Sequence, residues 1–146
     1  MALVTNSKAG FNYDILEKFE AGIELFGFEV KSIRNKHGKL EGSYVKFKRD
    51  EMFLSGADIP PYQASNTPES YDRVRARKLI MSKKEILRLK QKVESDKLTL
   101  IPLSLYNKGK VLKAEIALAR GKKKFDKRAK VMKREADIEM ERTLKR

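Results

Sequence analysis

Side chains able to do covalent chemistry are few in this chain, and their spacing is wrong for it. His37 is the only histidine and sits in Asn35-Lys36-His37-Gly38-Lys39, which reads as an exposed turn. Cysteine is absent, so disulfide frameworks and thiolate metal sites are excluded, and a lone imidazole leaves a zinc site without ligands. Asp50 and Glu51 are adjacent carboxylates, but they fall between two strand-like runs, where a solvated turn is expected rather than acid–base work. No glycine-rich phosphate cradle follows a strand, and no Gly-x-Ser-x-Gly elbow is present. A set of nucleophile, base and orienter cannot be assembled. The expected protein is therefore not an enzyme and carries no cofactor or metal.

Binding chemistry is better supplied. The formal net charge is +14 over 146 residues, well beyond the two to eight charges that solubility asks of a small domain. Such an excess points to a polyanionic partner, because a cationic surface dominates non-specific affinity for a phosphate backbone. Lys8, Lys31, Arg34, Lys36, Lys122, Lys123, Lys124 and Arg128 are candidate phosphate contacts, which position a nucleic acid without reading it. Tyr44 and Phe125 are aromatic rings among charges and can stack on unpaired bases; for Tyr44, a half-buried place in a strand is an equal alternative. Glu29 stands out as a carboxylate in a basic neighbourhood. It can accept hydrogen bonds from a base edge, or form salt bridges with Lys31 or Arg34.

The segment 121–146 is the most polarised part, with eleven Lys/Arg against five Asp/Glu. Its apolar stripe, Phe125, Ala129, Met132, Ala136, Met140 and Leu144, is narrow and holds two alanines. A helix so weakly supported is marginal in water, so this tail is expected to be disordered when free and to become helical on a partner. An anionic membrane is a poorer partner, since the apolar face is small and lacks Trp. No apolar run approaches spanning length, and Met1-Ala-Leu-Val-Thr-Asn6 has no signal-peptide character; a cytoplasmic protein is expected.

The elements that must position these groups follow from periodicity. Residues 13–26 alternate like a strand, with Gly22 marking a bulge or a strongly curved strand. After Gly27, a short helix over 28–34 would turn Val30 and Ile33 inward and leave Glu29, Lys31 and Arg34 outside. Tyr44–Lys48 and Met52–Leu54 flank Arg49-Asp50-Glu51 as a hairpin, and 63–76 reads as a mobile loop. Ser82-Lys-Lys-Glu85 is a capping box opening a helix over 83–94. Strands 98–106 and 111–119 are joined by the turn Asn107–Lys110. About five strands with short helices make a mainly β protein, a small, partly closed barrel of the oligonucleotide-binding type over 1–120, followed by the basic tail.

A set of motifs in a fixed order adds what composition cannot. Asn6-Ser-Lys-Ala9, Phe19-Glu-Ala-Gly22, Gly27-Phe-Glu-Val-Lys-Ser-Ile-Arg34, Ser43-Tyr-Val45, Arg77-Lys-Leu79, Pro102-Leu-Ser-Leu-Tyr106, Ile116-Ala-Leu-Ala-Arg-Gly-Lys-Lys123 and Asp126-Lys-Arg128 resemble the bacterial SsrA-binding proteins (small protein B). The resemblance implies a monomeric barrel that holds the tRNA-like domain of tmRNA. It also implies delivery of alanyl-tmRNA, with elongation factor Tu as an indirect partner, to stalled ribosomes for trans-translation. The tail would probe the empty mRNA channel along small-subunit rRNA. Carried over by motif, Asn6, Glu29, Arg34, Lys122 and Lys123 are tmRNA contacts, with Lys8, Lys31, Tyr44 and Lys124 beside them. Phe125, Asp126, Lys127, Arg128, Lys130, Lys133 and Arg134 fall to the ribosome-facing tail. Phe125 stands where relatives often carry His or Tyr, keeping the ring but losing a hydrogen bond. Ala136 replaces an aromatic residue found in some of them. The alternative reading is a ribosomal structural protein that binds rRNA through the same kind of barrel.

Overall fold

The computed structural model describes residues 2–63 and 67–122. Among these described residues, seven strands and three helices follow in the order β1 (Ala2–Thr5), α1 (Ala9–Asn12), β2 (Tyr13–Ile23), α2 (Gly27–Arg34), β3 (Tyr44–Lys48), β4 (Glu51–Ser55), β5 (Arg77–Ile80), α3 (Lys83–Ser95), β6 (Thr99–Lys108) and β7 (Val111–Gly121). The mainly β class is as expected. The strand count exceeds the expected five, because β1 and β5 are only four residues long and give no readable alternation.

The strands form one antiparallel sheet in the order β1-β6-β3-β4-β5-β2-β7, and β7 pairs again with β6. Six strands thus close a ring, β2-β5-β4-β3-β6-β7, with β1 added to the second half of β6. Closure is thin at two seams. β3 meets β6 through the single pair Val45–Leu100, and β2 meets β5 through Gly22–Ile80 and Ile23–Leu79. This is the partly closed barrel that the sequence suggested. Alternation along each strand fills its interior: Val45, Met52, Leu54, Leu79, Leu100, Leu105, Leu112, Ala114, Ile116 and Leu118 point into one core. Ile33 from α2 and Ile86 with Leu89 from α3 join that core. A second, outer cluster forms where Ala9 of α1 covers Ile101, Ala117 and Ala119.

Local expectations need several corrections. The irregularity in β2 lies at Leu16, between the pairs Ile15–Ala119 and Glu17–Leu118, and not at Gly22. Gly22 serves closure instead. A Cβ there would lie 3.2 Å from the Cβ of Ile80, so the absence of a side chain lets β5 approach. Gly22→Val is expected to cost about 1–3 kcal/mol by overpacking that seam, measured as a fall in the urea midpoint; an unchanged midpoint would show the seam to be loose. The β3–β4 connection is two residues, not three, since Lys48 pairs with Glu51 and Arg49 takes φ 59°. Strands β6 and β7 likewise run on to the pair Lys108–Val111, leaving only Gly109, at φ 65°, and Lys110 in the turn. Ser82 caps α3 by accepting from the Glu85 N–H at 3.3 Å, but the Glu85 carboxylate turns to Arg88 and does not complete the box. The tail stripe from Phe125 to Leu144 lies outside the described residues.

Candidate nucleic-acid interface

Two surfaces and one buried cluster gather the residues singled out in the sequence. The first surface is a cleft on the outer wall, lined by Asn6, Ala9, Asn12, Tyr13, Gly42, Ser43, Gly121 and Lys122. Asn6 is built into its floor. Its N–H donates to the Leu103 carbonyl at 2.8 Å and its Nδ2 to the Pro102 carbonyl at 3.0 Å, which fixes the chain after β1 against β6. Lys122 leaves β7 tethered. Its N–H donates to the Asn12 carbonyl at 3.0 Å, its Nζ to the Gly10 carbonyl at 2.9 Å, and Asp14 Oδ1 lies 3.8 Å away. The first tail lysine is therefore held at the barrel wall, which sets where the remaining basic segment departs. Lys8 is exposed at the same rim, 3.9 Å from Glu41. Tyr44 follows Ser43 at the start of β3 and is 45% exposed, so its ring is accessible for stacking.

The second surface is the exposed side of α2, where Lys31 and Arg34 lie, with Lys36 exposed in the turn just after the helix. Arg34 donates through Nη2 to the Lys110 carbonyl at 2.8 Å, joining α2 to the β6–β7 turn. Lys123, Lys124, Phe125, Asp126, Lys127, Arg128, Lys130, Lys133 and Arg134 lie outside the described residues.

Glu29 is the main correction. The sequence put it outside α2 with Lys31 and Arg34; the structure buries it completely. The helical spacing was right, but the inward face is wider than the Val30–Ile33 stripe, and Glu29 has its partners inside. Its Oε1 accepts from the Phe26 N–H at 2.8 Å and from Arg75 Nη2 at 2.5 Å. Its Oε2 accepts from Arg77 Nη2 at 2.6 Å, Arg77 Nε at 2.8 Å and Tyr71 at 2.8 Å. Arg77 is itself fully buried and spends its other donors on the carbonyls of Ala57, Arg73 and Arg75. A buried carboxylate with every acceptor direction taken has none left for a base edge. Burial pushes the Glu29 carboxyl up, but hydrogen bonds from Arg75, the Phe26 N–H, Arg77 and Tyr71 outweigh it and hold the group below the ordinary carboxylate range. Burial and the bond to Glu29 push the Tyr71 phenol up to about 12.

The cluster shapes what surrounds it. Arg75 lies 4.1 Å from the ring centre of Phe26, and Phe28 meets Tyr71 edge to face at 4.8 Å. Phe26 remains 49% exposed above a groove lined with Phe28, Pro68 and Tyr71. Residues 67–76 have no helix or strand, as a connection should, but Tyr71 and Arg75 fasten them to α2, and Arg73 pairs with Asp58 at 2.9 Å. Sequence reasoning missed Tyr71, Arg75 and Arg77 as partners of Glu29, because 42 to 48 residues separate them. The one available signal was the Arg77-Lys-Leu79 motif, whose arginine carries too large a desolvation cost to be buried without a carboxylate.

Comparison with known proteins bears on these surfaces. The family model described as "SmpB protein" matches residues 3–146. An SsrA-binding protein of Mesoplasma florum is 47% identical, over 94% of this chain and 91% of its own. One of Burkholderia lata is 43% identical over 99% and 98%. A solved structure described as "tmRNA-SmpB: a journey to the center of the bacterial ribosome" superposes with a TM-score of 0.67 at 42% identity, covering 82% of this chain and 84% of that one.

Proposed function

The chain belongs to the SmpB family of SsrA-binding proteins, and from that premise we propose that it binds the tRNA-like domain of tmRNA and escorts alanyl-tmRNA to stalled ribosomes for trans-translation. It acts as a binding protein rather than an enzyme, in the cytoplasm, as a monomer. Elongation factor Tu is an indirect partner through the alanyl end. The family match over residues 3–146, tail included, carries this reading. The alternative, a structural ribosomal protein, would share the barrel and the charge without needing the full ordered set of motifs.

The geometry gives the role a physical basis. Arg34 and Lys31 stand at one end of the barrel, beside the β6–β7 turn, while Lys122 leaves at the far end of β7. An eleven-residue strand, roughly 35 Å long at about 3.3 Å per residue, lies between them. One protein can therefore hold RNA at the α2 end while sending a tail of net charge +6 elsewhere. An empty mRNA channel is lined with phosphate and attracts such a tail only where message is missing. Asn6, Lys8, Tyr44 and Lys122 extend RNA contact along the outer wall. Glu29 serves by fastening α2 to the connection 67–76 rather than by touching RNA.

The test compares binding of tmRNA and of an ordinary tRNA at fixed, near-physiological salt, for the full chain and for a chain ending at Lys122. A strong preference for tmRNA that survives removal of the tail is the expected result. Equal binding of both RNAs, lost with the tail, would leave only a non-specific cation.

A further inference from the structure

We propose that the β6–β7 turn, with Lys108, Lys110 and Lys113, joins the exposed face of α2 in one cationic pole that takes the phosphate backbone of a structured RNA. This rests on the escort reading and adds to it an element that neither the sequence motifs nor the family resemblance singled out. Three observations carry it. Arg34 binds the carbonyl of Lys110 at 2.8 Å, so the turn is held against α2 and does not wave free of the barrel. The two-residue turn, with Gly109 at φ 65°, keeps Lys108 and Lys110 within three positions of each other at the strand ends.

Charge supplies the third. Ion pairs among the described residues leave Lys31, Lys36, Lys110 and Lys113 without a carboxylate partner at bonding distance. Two carboxylates face the pole from the sheet. Glu20 on β2 is satisfied by Tyr106 and by Lys108 at 2.9 Å, and Glu115 lies on β7 near Tyr106. Six cations against two carboxylates leave a strong local excess. On α3, by comparison, Arg88 pairs with Glu85 and Lys92 with Glu17, while Lys83 and Lys84 have no carboxylate partner among the described residues and so serve as unpaired surface cations of equal charge.

The chemistry selects backbone over bases. Tyr106, the ring at the edge of the pole, has its hydroxyl engaged by Glu20, Arg34 spends a guanidinium N–H on the Lys110 carbonyl, and the remaining groups are lysine ammonium ions suited to phosphate as point charges. The pole should therefore strengthen binding without sharpening the choice of RNA.

The experiment titrates full-length protein with a tRNA-like tmRNA fragment and with an ordinary tRNA across a salt series. It compares wild type, Lys110→Gln with Lys113→Gln, and the equal-charge control Lys83→Gln with Lys84→Gln on α3. The pole variant is expected to make the slope of log affinity against log salt shallower by about two, for both RNAs alike, one unit for each phosphate contact removed. The α3 control should change it by clearly less. An unchanged slope, or equal changes in the two variants, overturns the pole. Failure of the escort reading would show separately, as a wild-type protein that does not prefer the tmRNA fragment.

Discussion

Glu29→Lys is expected to destabilise the barrel by about 3–5 kcal/mol, because it removes the carboxylate that pairs with a fully buried Arg77 and puts a third cation beside Arg75. RNA binding should fall with it, although the net charge rises by two. Four consequences separate this from loss of a direct RNA contact. Glu29→Gln keeps the shape and should still lower the urea midpoint. Glu29→Leu combined with Arg77→Met removes both charges and should recover much of the stability, since well-packed apolar residues can replace a buried ion pair. RNA binding should return with the fold in that double variant. The pH dependence has a definite sign. The folded carboxyl sits below its ordinary value, so its contribution is present above about pH 4.3 and is lost as pH falls through the folded value. Wild type should lose stability in that acid window more steeply than Glu29→Gln. A Glu29→Gln protein with an unchanged midpoint but abolished tmRNA binding would sink the positioning account and return Glu29 to the RNA.

The same residue shows how far a sequence can be read. Periodicity placed α2 correctly because Val30 and Ile33 repeat at helical spacing, and alternation placed β2, β3, β6 and β7 because one face of each is apolar. Strand β5 was not readable as a strand. Arg77-Lys-Leu-Ile80 offers only Leu79 as a core residue, and its buried arginine looks like a solvent-facing one until the carboxylate 48 residues away is known. Strand β1 failed for the same reason of length. The site divided along a similar line. Lys8, Lys31 and Arg34 were legible as exposed cations because charge avoids the core by default. Glu29 obeys the opposite rule, a charge that enters the core only with partners, and no local pattern announces those. The Arg34 bond to the β6–β7 turn is equally non-local, so Lys108, Lys110 and Lys113 read as scattered lysines until the fold brought them to α2.

Replacing Asp126, Lys127 and Arg128 together by alanine should leave tmRNA affinity within about twofold and reduce peptide tagging by about a hundredfold or more. The argument is one of charge and contact. The triple substitution removes two cations and one anion, so the tail goes only from +6 to +5 and its long-range attraction to phosphate barely changes. The barrel-side contacts proposed for Arg34, Lys31 and Lys122 precede the altered positions and would stay intact. What is lost is local: hydrogen bonds to charged groups contribute about 1.5–3 kcal/mol each, and losing two lowers occupancy of a bound tail by two orders of magnitude or more. A tail that orders on binding, as proposed, would need that margin, since ordering costs about 1–2 kcal/mol per residue and must be offset by contacts made on its partner. Neutralising Lys145 and Arg146 instead removes more charge, from +6 to +4, and should slow association with modest effect on tagging. If tagging follows net charge, so that the terminal pair does more damage than the triple, the tail is an electrostatic tether. If the triple dominates, the tail senses occupancy through specific contacts, and the barrel and tail divide recognition from readout.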